Sequence, residues 1–260
     1  MKITPTSLTI SQLLGSQNEQ YVIPAYQRRY SWRQHQVEDM WDDLSILEGA
    51  DSHLFGTIVC LAGHHTAGVN RLELVDGQQR LTTISIFLHC LLDRLKSEKQ
   101  DDEAQDLARL LSAKALGGGS EPKILLDSLD AEQFIRHAGG DIAEPVDNLR
   151  LLQAFGLLRT RLAELPLERV CVLLYRLKNQ AVIIRLDVSE AKDAFKLFET
   201  INNRGLRLSS TDIIKNFILG NAARFGEKAL NLARKRWAEV LTELDGIALD
   251  TFFRQYMMAH

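Results

Sequence analysis

Apolar residues return at helical spacing through His35–Leu47, where Val37, Met40, Trp41, Leu44 and Leu47 share one face and acidic residues hold the other, which predicts an amphipathic helix. Upstream, Ser11 is placed to cap a short helix ending near Ser16. Tyr21–Pro24 reads as a strand stopped by Pro24, whose ring fixes φ and removes a ladder donor. Leu54–Gly63 and Arg71–Val75 are short and β-branched or alternating around a Gly/His loop, the pattern of a hairpin. Leu81–Lys96 is an almost wholly apolar helix and is expected to be central.

A polar run at Ser97–Gln105 and the Gly-rich stretch Gly117–Pro122 predict connections around a short helix. Ile124–Gly139, Asn148–Leu165 and Leu167–Gln180 suggest further helices, broken near Gly139–Gly140 and at Pro166. Ala181–Val188 is a continuous β-branched run that fits a buried strand. Three helices follow: one from Glu190 stopped by Gly205, one opened by Ser209 with Asp212 completing a capping box, and one from Glu227. The pattern gives a fold of class α/β (α+β), a small mixed-sheet core with a large helical portion, and it contains no internal repeat.

Composition adds mainly exclusions. The chain has 260 residues, with 31 Lys plus Arg against 34 Asp plus Glu for a net charge of −3. A chain of this size buries about three-quarters of its unfolded surface and needs no disulfide or metal staple. A pI near 6.2 excludes a generic basic coat, so any nucleic-acid contact must be focal. Cys60, Cys90 and Cys171 lie far apart in apolar runs and read as buried reduced thiols, which favours a cytoplasmic location. The N-terminal stretch lacks the features of a secretion signal, and no run of about 18 apolar residues occurs, so a membrane partner is not expected.

Three segments carry candidate chemistry. In Leu72–Thr83 a strand ends at Val75, Asp76 and Gly77 make a tight turn, and a helix begins. That places the N–H groups of Gln78 to Leu81 at a helix N-terminus, where free donors and the axial dipole favour an anion. Arg80 adds a charge-assisted fork, Thr82 and Thr83 add hydroxyls, and Asp76 is positioned to hold Mg²⁺. A plain Asp-Gly turn with solvated neighbours explains the same spacing.

In Ile23–Arg33, Tyr26, Tyr30 and Trp32 alternate with Arg28, Arg29 and Arg33, a mixture able to stack a base and hold phosphates. The alternative is a connection whose aromatics pack on the core and whose arginines pair with Glu38, Asp39, Asp42 or Asp43. In Phe195–Lys215, Asn202, Asn203, Arg204 and Gly205 crowd a helix junction, with Asp212 and Lys215 on one general face of the next helix; capping explains Gly205 and Ser209 but not the Asn-Asn-Arg run. His64 and His65 read as solvated, and no GxSxG, HExxH or Walker motif is present.

Taken in order, IPAYQRRYSW, FGTIV, LVDGQQRLTT and FETINNRGLRLSSTDIIK closely resemble the signature of the domain-of-unknown-function 262 family. This is the N-terminal module of GmrSD-type modification-dependent restriction enzymes and of SspE-like phosphorothioate-dependent defence proteins. The likeness covers about residues 8–220. It implies a core similar to ParB and sulfiredoxin, spread over residues 1–116 and 180–220, with a helical insertion at 117–179 and C-terminal helices at 221–260.

The resemblance further implies binding and hydrolysis of an NTP, often GTP, with Mg²⁺, coupled to sensing modified DNA and controlling a nuclease. Carried over by motif, Asp76, Gly77, Gln78, Gln79 and Arg80 form the nucleotide loop, Tyr26, Gln27 and Arg28 lie beside it, and Asn203, Arg204 and Gly205 close the pocket. Arg29, Tyr30, Trp32 and Arg33 are the expected DNA contacts. Relatives commonly continue into an HNH nuclease domain, and this sequence holds no His-Asn-His arrangement, so cleavage is expected from a C-terminal or separate partner. Homo-oligomerisation is compatible with this reading. The competing expectation is a non-catalytic module that grips DNA backbone phosphate with the same loop.

Overall fold

The computed structural model describes residues 3–66, 68–114, 119–127, 129–140, 147–202 and 210–259. The chain opens with β1 (Ile3–Thr9) and α1 (Ile10–Gly15). Thr9, not Ser11, caps this helix: its hydroxyl accepts from the Gln12 N–H while the Gln12 side chain accepts from the Thr9 N–H at 2.9 Å. Ser11 is drawn away because its hydroxyl donates to the Lys178 carbonyl. There follow β2 (Glu19–Ile23), α2 (Gln34–Ser45), the hairpin of β3 (His53–Thr66) and β4 (Val69–Asp76), α3 (Gln78–Ser97), α4 (Asp101–Leu110), the short pair β5 (Ser112–Lys114) and β6 (Ser120–Pro122), and β7 (Ile124–Leu126). The second half comprises α5 (Ala131–Ala138), α6 (Leu149–Glu164), α7 (Leu167–Asn179), β8 (Ala181–Val188), α8 (Ala191–Asn202), α9 (Ser210–Arg224), α10 (Glu227–Glu243) and α11 (Leu249–Ala259).

Among the described residues six strands form one mixed sheet in the order β1-β8-β3-β4-β2-β7, which is the α/β (α+β) arrangement expected. β3 runs antiparallel to β4 and parallel to β8, while β2 lies parallel to both β4 and β7. Side chains alternate across the sheet because successive residues of a strand face opposite ways. Ile58, Cys60, Leu72 and Leu74 join a large core with α1, α2, α3, α6 and α7. Val59, Leu61, Val75 and Val188 join a second core with Phe195 and Phe198 of α8, Leu219 of α9 and Trp237 of α10. The sheet is thus sandwiched between two helical layers, and β4 ends between them.

Two local expectations are corrected. Ile124–Leu126 is a strand rather than the start of a helix, since its backbone is taken up by β2; the segment expected as a helical insertion therefore also supplies a sheet strand. The polar run after Ser97 contains the first turn of α4, whose Asp101, Asp102 and Glu103 complement the positive end of its dipole. The apolar C-terminal stretch forms α11, with Phe253 stacked on Trp237. The expected roles of Gly205 and Ser209 as helix stop and cap lie outside the described residues.

Candidate functional site

The turn between β4 and α3 is built on two glycines. Gly77 has φ +89°, a left-handed conformation natural to glycine, and a Cβ added there would lie 2.6 Å from Cγ2 of Ile58. Gly77 can therefore hand the chain directly from strand to helix, its carbonyl accepting the first helical bond from Leu81 N–H at 3.0 Å. The N–H groups of Gln78, Gln79 and Arg80 then occupy the first turn, without intrahelical partners. Gly56, on β3 with φ +101°, clears the second space: an added Cβ would lie 2.9 Å from the Arg80 guanidinium carbon. Arg80 settles there and donates to the Thr57 carbonyl at 2.7 Å. Burial pulls its pKa down from the usual value, and the Asp76 carboxylate opposes that shift.

A buried polar network adjoins the turn. Lys215 of α9 is 3% exposed, and its ammonium donates to Oε1 of Gln27 at 2.7 Å and lies 3.4 Å from Oδ1 of Asp212. Gln27 in turn donates to the carbonyls of Leu74 and Val75 at 3.1 and 2.9 Å, and the exposed Arg28 lies 3.6 Å from Asp212. Burial lowers the Lys215 pKa; Asp212 and, more weakly, Asp76 counter it, while Arg28 adds to it. The field of Asp76 thus reaches both Arg80 and Lys215.

The remaining predicted residues divide sharply. Gln78 is buried, and its amide has no hydrogen-bond partner among the described residues. Gln79 has both ends engaged, accepting from Ser31 N–H at 2.7 Å and donating to the Arg29 carbonyl at 3.1 Å. Thr82 and Thr83, expected as phosphate hydroxyls, are instead buried in the body of α3, where Thr83 donates to the Gln79 carbonyl and meets the Tyr30 hydroxyl at 2.8 Å. Tyr26 donates to Glu73 at 2.5 Å, and burial drives its phenol pKa well above the ordinary value.

Of the expected DNA contacts, Tyr30 is a core residue and Trp32 packs against the same core. Arg29 is held by Asp130 at 2.8 Å and by Asp245 at 2.7 Å, not by the acidic residues of α2, of which Glu38 and Asp42 pair with Arg161. Arg33 is exposed at the start of α2. A cavity of about 340 Å³ opens beside this loop, walled by Gln27, Arg28 and Arg29 and by Leu241, Asp245 and Leu249. Asn203, Arg204 and Gly205 lie outside the described residues.

The sequence matches the GmrSD restriction endonuclease, N-terminal domain, over residues 10–219. The chain belongs to that family. No curated protein matches it. Membership makes it a module of a restriction and defence system, and the matched segment contains the Gly77 turn, Arg80 and the whole Gln27–Asp212–Lys215 network. Among the described residues no helix is long and apolar enough to cross a membrane.

Sequence reasoning placed Asp212 and Lys215 on one helix face but gave neither a place in the site; the i, i+3 spacing of an acid and a base was the available signal. No group of three His, Cys, Asp or Glu among the described residues is arranged to hold a metal. Mg²⁺ arriving with a nucleotide needs only one or two protein carboxylates, because phosphate oxygens and water complete its shell. Asp76, half-buried at the mouth of the turn beside two cations, fits that lesser demand.

Proposed function

We propose that this GmrSD-family module binds a purine NTP, GTP favoured, with Mg²⁺, hydrolyses it slowly, and uses that cycle in the cytoplasm to couple sensing of modified double-stranded DNA to a C-terminal or separate HNH nuclease. The observation that carries the reading is a helix N-terminus opened by left-handed Gly77, with Arg80 at its first turn and a buried lysine network alongside. Free N–H donors, an axial dipole and a guanidinium at one corner favour a polyanion. Phosphoryl transfer depends chiefly on positioning and electrostatics, which such a corner supplies.

In this reading the Gln78–Arg80 amides and Arg80 hold phosphate oxygens and stabilise the charge that develops on them. Lys215 adds a cation whose position is fixed by Gln27 and Asp212. Gln78, rather than the fully engaged Gln79, orients the attacking water. Mg²⁺, held by Asp76, would neutralise phosphate charge. The reading of a non-catalytic DNA grip draws less support, because Arg29 is paired twice and Tyr30 is in the core.

Phosphate release from GTP and ATP with Mg²⁺ tests this with purified Arg80→Ala and Arg80→Lys. Loss of turnover in Arg80→Ala with an unchanged circular dichroism spectrum, and partial activity in Arg80→Lys, is the expected result. Turnover equal to that of the unsubstituted chain would remove the assignment.

A further inference from the structure

A second cavity lies elsewhere on α3. It encloses about 360 Å³ between α3, α5, β7 and the paired strands β5 and β6, at the β7 edge of the sheet, and no residue of the nucleotide corner lines it. Its walls are mainly apolar, with Leu111, Ile124, Leu126, Phe134 and Ile135 the large contributors. That volume sits at the small end of ligand-binding cavities, which combine apolar walls with a few fixed polar groups.

Two polar side chains from α3, Ser85 and His89, line it. They are four residues apart and therefore share a helix face. Ser85 is only 2% exposed, yet its hydroxyl has no hydrogen-bond partner among the described residues. A helical serine ordinarily satisfies itself on the carbonyl one turn back, so an unmet hydroxyl facing a cavity points to a ligand. His89 also has no hydrogen bond among the described residues, and its ring stands edge-on to Phe134 with centroids 5.9 Å apart. Burial holds the His89 pKa down to about 4, so at neutral pH the imidazole offers one donor and one acceptor.

The charged groups at the wall are engaged elsewhere. The Lys123 ammonium donates to the carbonyls of Ser16 and Glu19, and Glu121 is paired with Arg71 and Gln20. An ionised guest would therefore lose its water without gaining a counter-ion.

We propose that this cavity binds an uncharged heteroaromatic molecule of one or two fused rings, its faces packed by Leu111, Ile124 and Phe134 and its polar edge hydrogen-bonded to Ser85 and His89. A planar heterocycle matches both halves of the lining, since it presents apolar faces and a polar edge at once. The site stands apart from nucleotide binding and does not depend on it.

Calorimetric titration of the full chain at pH 7.5 with indole, benzimidazole and quinoxaline tests the assignment, with benzoate and cyclohexanol as charged and non-aromatic controls. At least one heterocycle should bind saturably at one per chain. Ser85→Val should weaken it about tenfold, the loss of one hydrogen bond, and Ala138→Phe, at an α5 residue that lines the cavity, should abolish it by filling the space. Arg80→Ala should leave it unchanged. Melting curves confirm that each variant is folded, and Ser85→Ala replaces Ser85→Val should the latter unfold. Absence of binding by all three heterocycles, equal binding of benzoate or cyclohexanol, or binding that survives Ala138→Phe overturns the proposal.

Discussion

Nζ of Lys215 lies 2.7 Å from Oε1 of Gln27, joining two residues 188 positions apart. The Gln27 amide nitrogen donates to the carbonyls of Leu74 and Val75, so its oxygen must face the ammonium, and one side chain ties the end of β4 to α9. Removing the ammonium takes the buried cation from Asp212, a largely buried carboxylate, and leaves the exposed Arg28 at 3.6 Å to compensate only in part. Lys215→Met should therefore destabilise the fold by about 3 kcal/mol, and Lys215→Met with Asp212→Leu should recover part of that loss. Urea denaturation of the single and double variants checks this; strictly additive losses would show that the two side chains act independently.

The strand-to-helix turn makes a steeper demand on position 77. Gly77→Ala introduces a left-handed non-glycine residue, a cost of about 1–3 kcal/mol, and drives its Cβ to 2.6 Å from Cγ2 of Ile58. Adding Ile58→Ala removes the 2.6 Å contact and leaves the milder ones to Cβ and Cα of position 58, at 3.1 and 3.2 Å, together with the backbone strain. The expected order of melting temperatures relative to the matching Ile58 background is a larger drop for Gly77→Ala beside Ile58 than beside Ala at that position. Equal drops would mean that only φ matters.

How much of this could be read beforehand follows sequence distance. The hairpin, α3 and its Asp-Gly turn were legible because alternation, turn residues and helical spacing are local signals. Ile124–Leu126 was misread since three apolar residues carry no period that separates strand from helix, and their partner β2 lies a hundred positions away. The two readings of the Arg28–Arg33 cluster, DNA contact or pairing with nearby α2, both looked to local partners, yet Arg29 reaches Asp130 and Asp245. In the candidate site the motif residues stood out, whereas the buried state of Lys215 depends on Gln27 and Phe198, which no local pattern brings to it.

His89 makes stability depend on pH in a definite direction. An unfolded imidazole takes up its proton near pH 6.5, whereas burial in the fold delays that to about 4, with Lys96 and Arg159 adding to the shift and Asp93 opposing it. Between those values the unfolded state binds more protons, so stability falls as pH drops through that window. The urea midpoint should fall from pH 7 to pH 5 by more in the unsubstituted chain than in His89→Phe. An identical fall in both would show that His89 does not contribute.

Helix α10 lies beyond the matched family segment yet is tied to β4. Its Arg234 donates to Oε1 of Glu73 at 2.5 Å, the same oxygen that accepts the Tyr26 hydroxyl, and its guanidinium lies 5.5 Å from the Tyr26 ring centroid. Leu230, Trp237 and Leu241 are buried in the core that holds Tyr26 and Val75. Cutting the chain after Gly226 would thus uncover the core that holds Tyr26 and Val75 and leave Glu73 without its cation. Burial of several large side chains contributes about 1.5–3 kcal/mol each, which is comparable to the whole stability of a typical domain. The shortened chain should melt well below the full one and lose protection of the Tyr21–Arg29 segment in limited proteolysis. Arg234→Ala should show a smaller loss, about 1–3 kcal/mol, because it removes only the polar contact. If the shortened chain melted at the same temperature as residues 1–260, α10 would be an appendage rather than part of the domain that shapes the site.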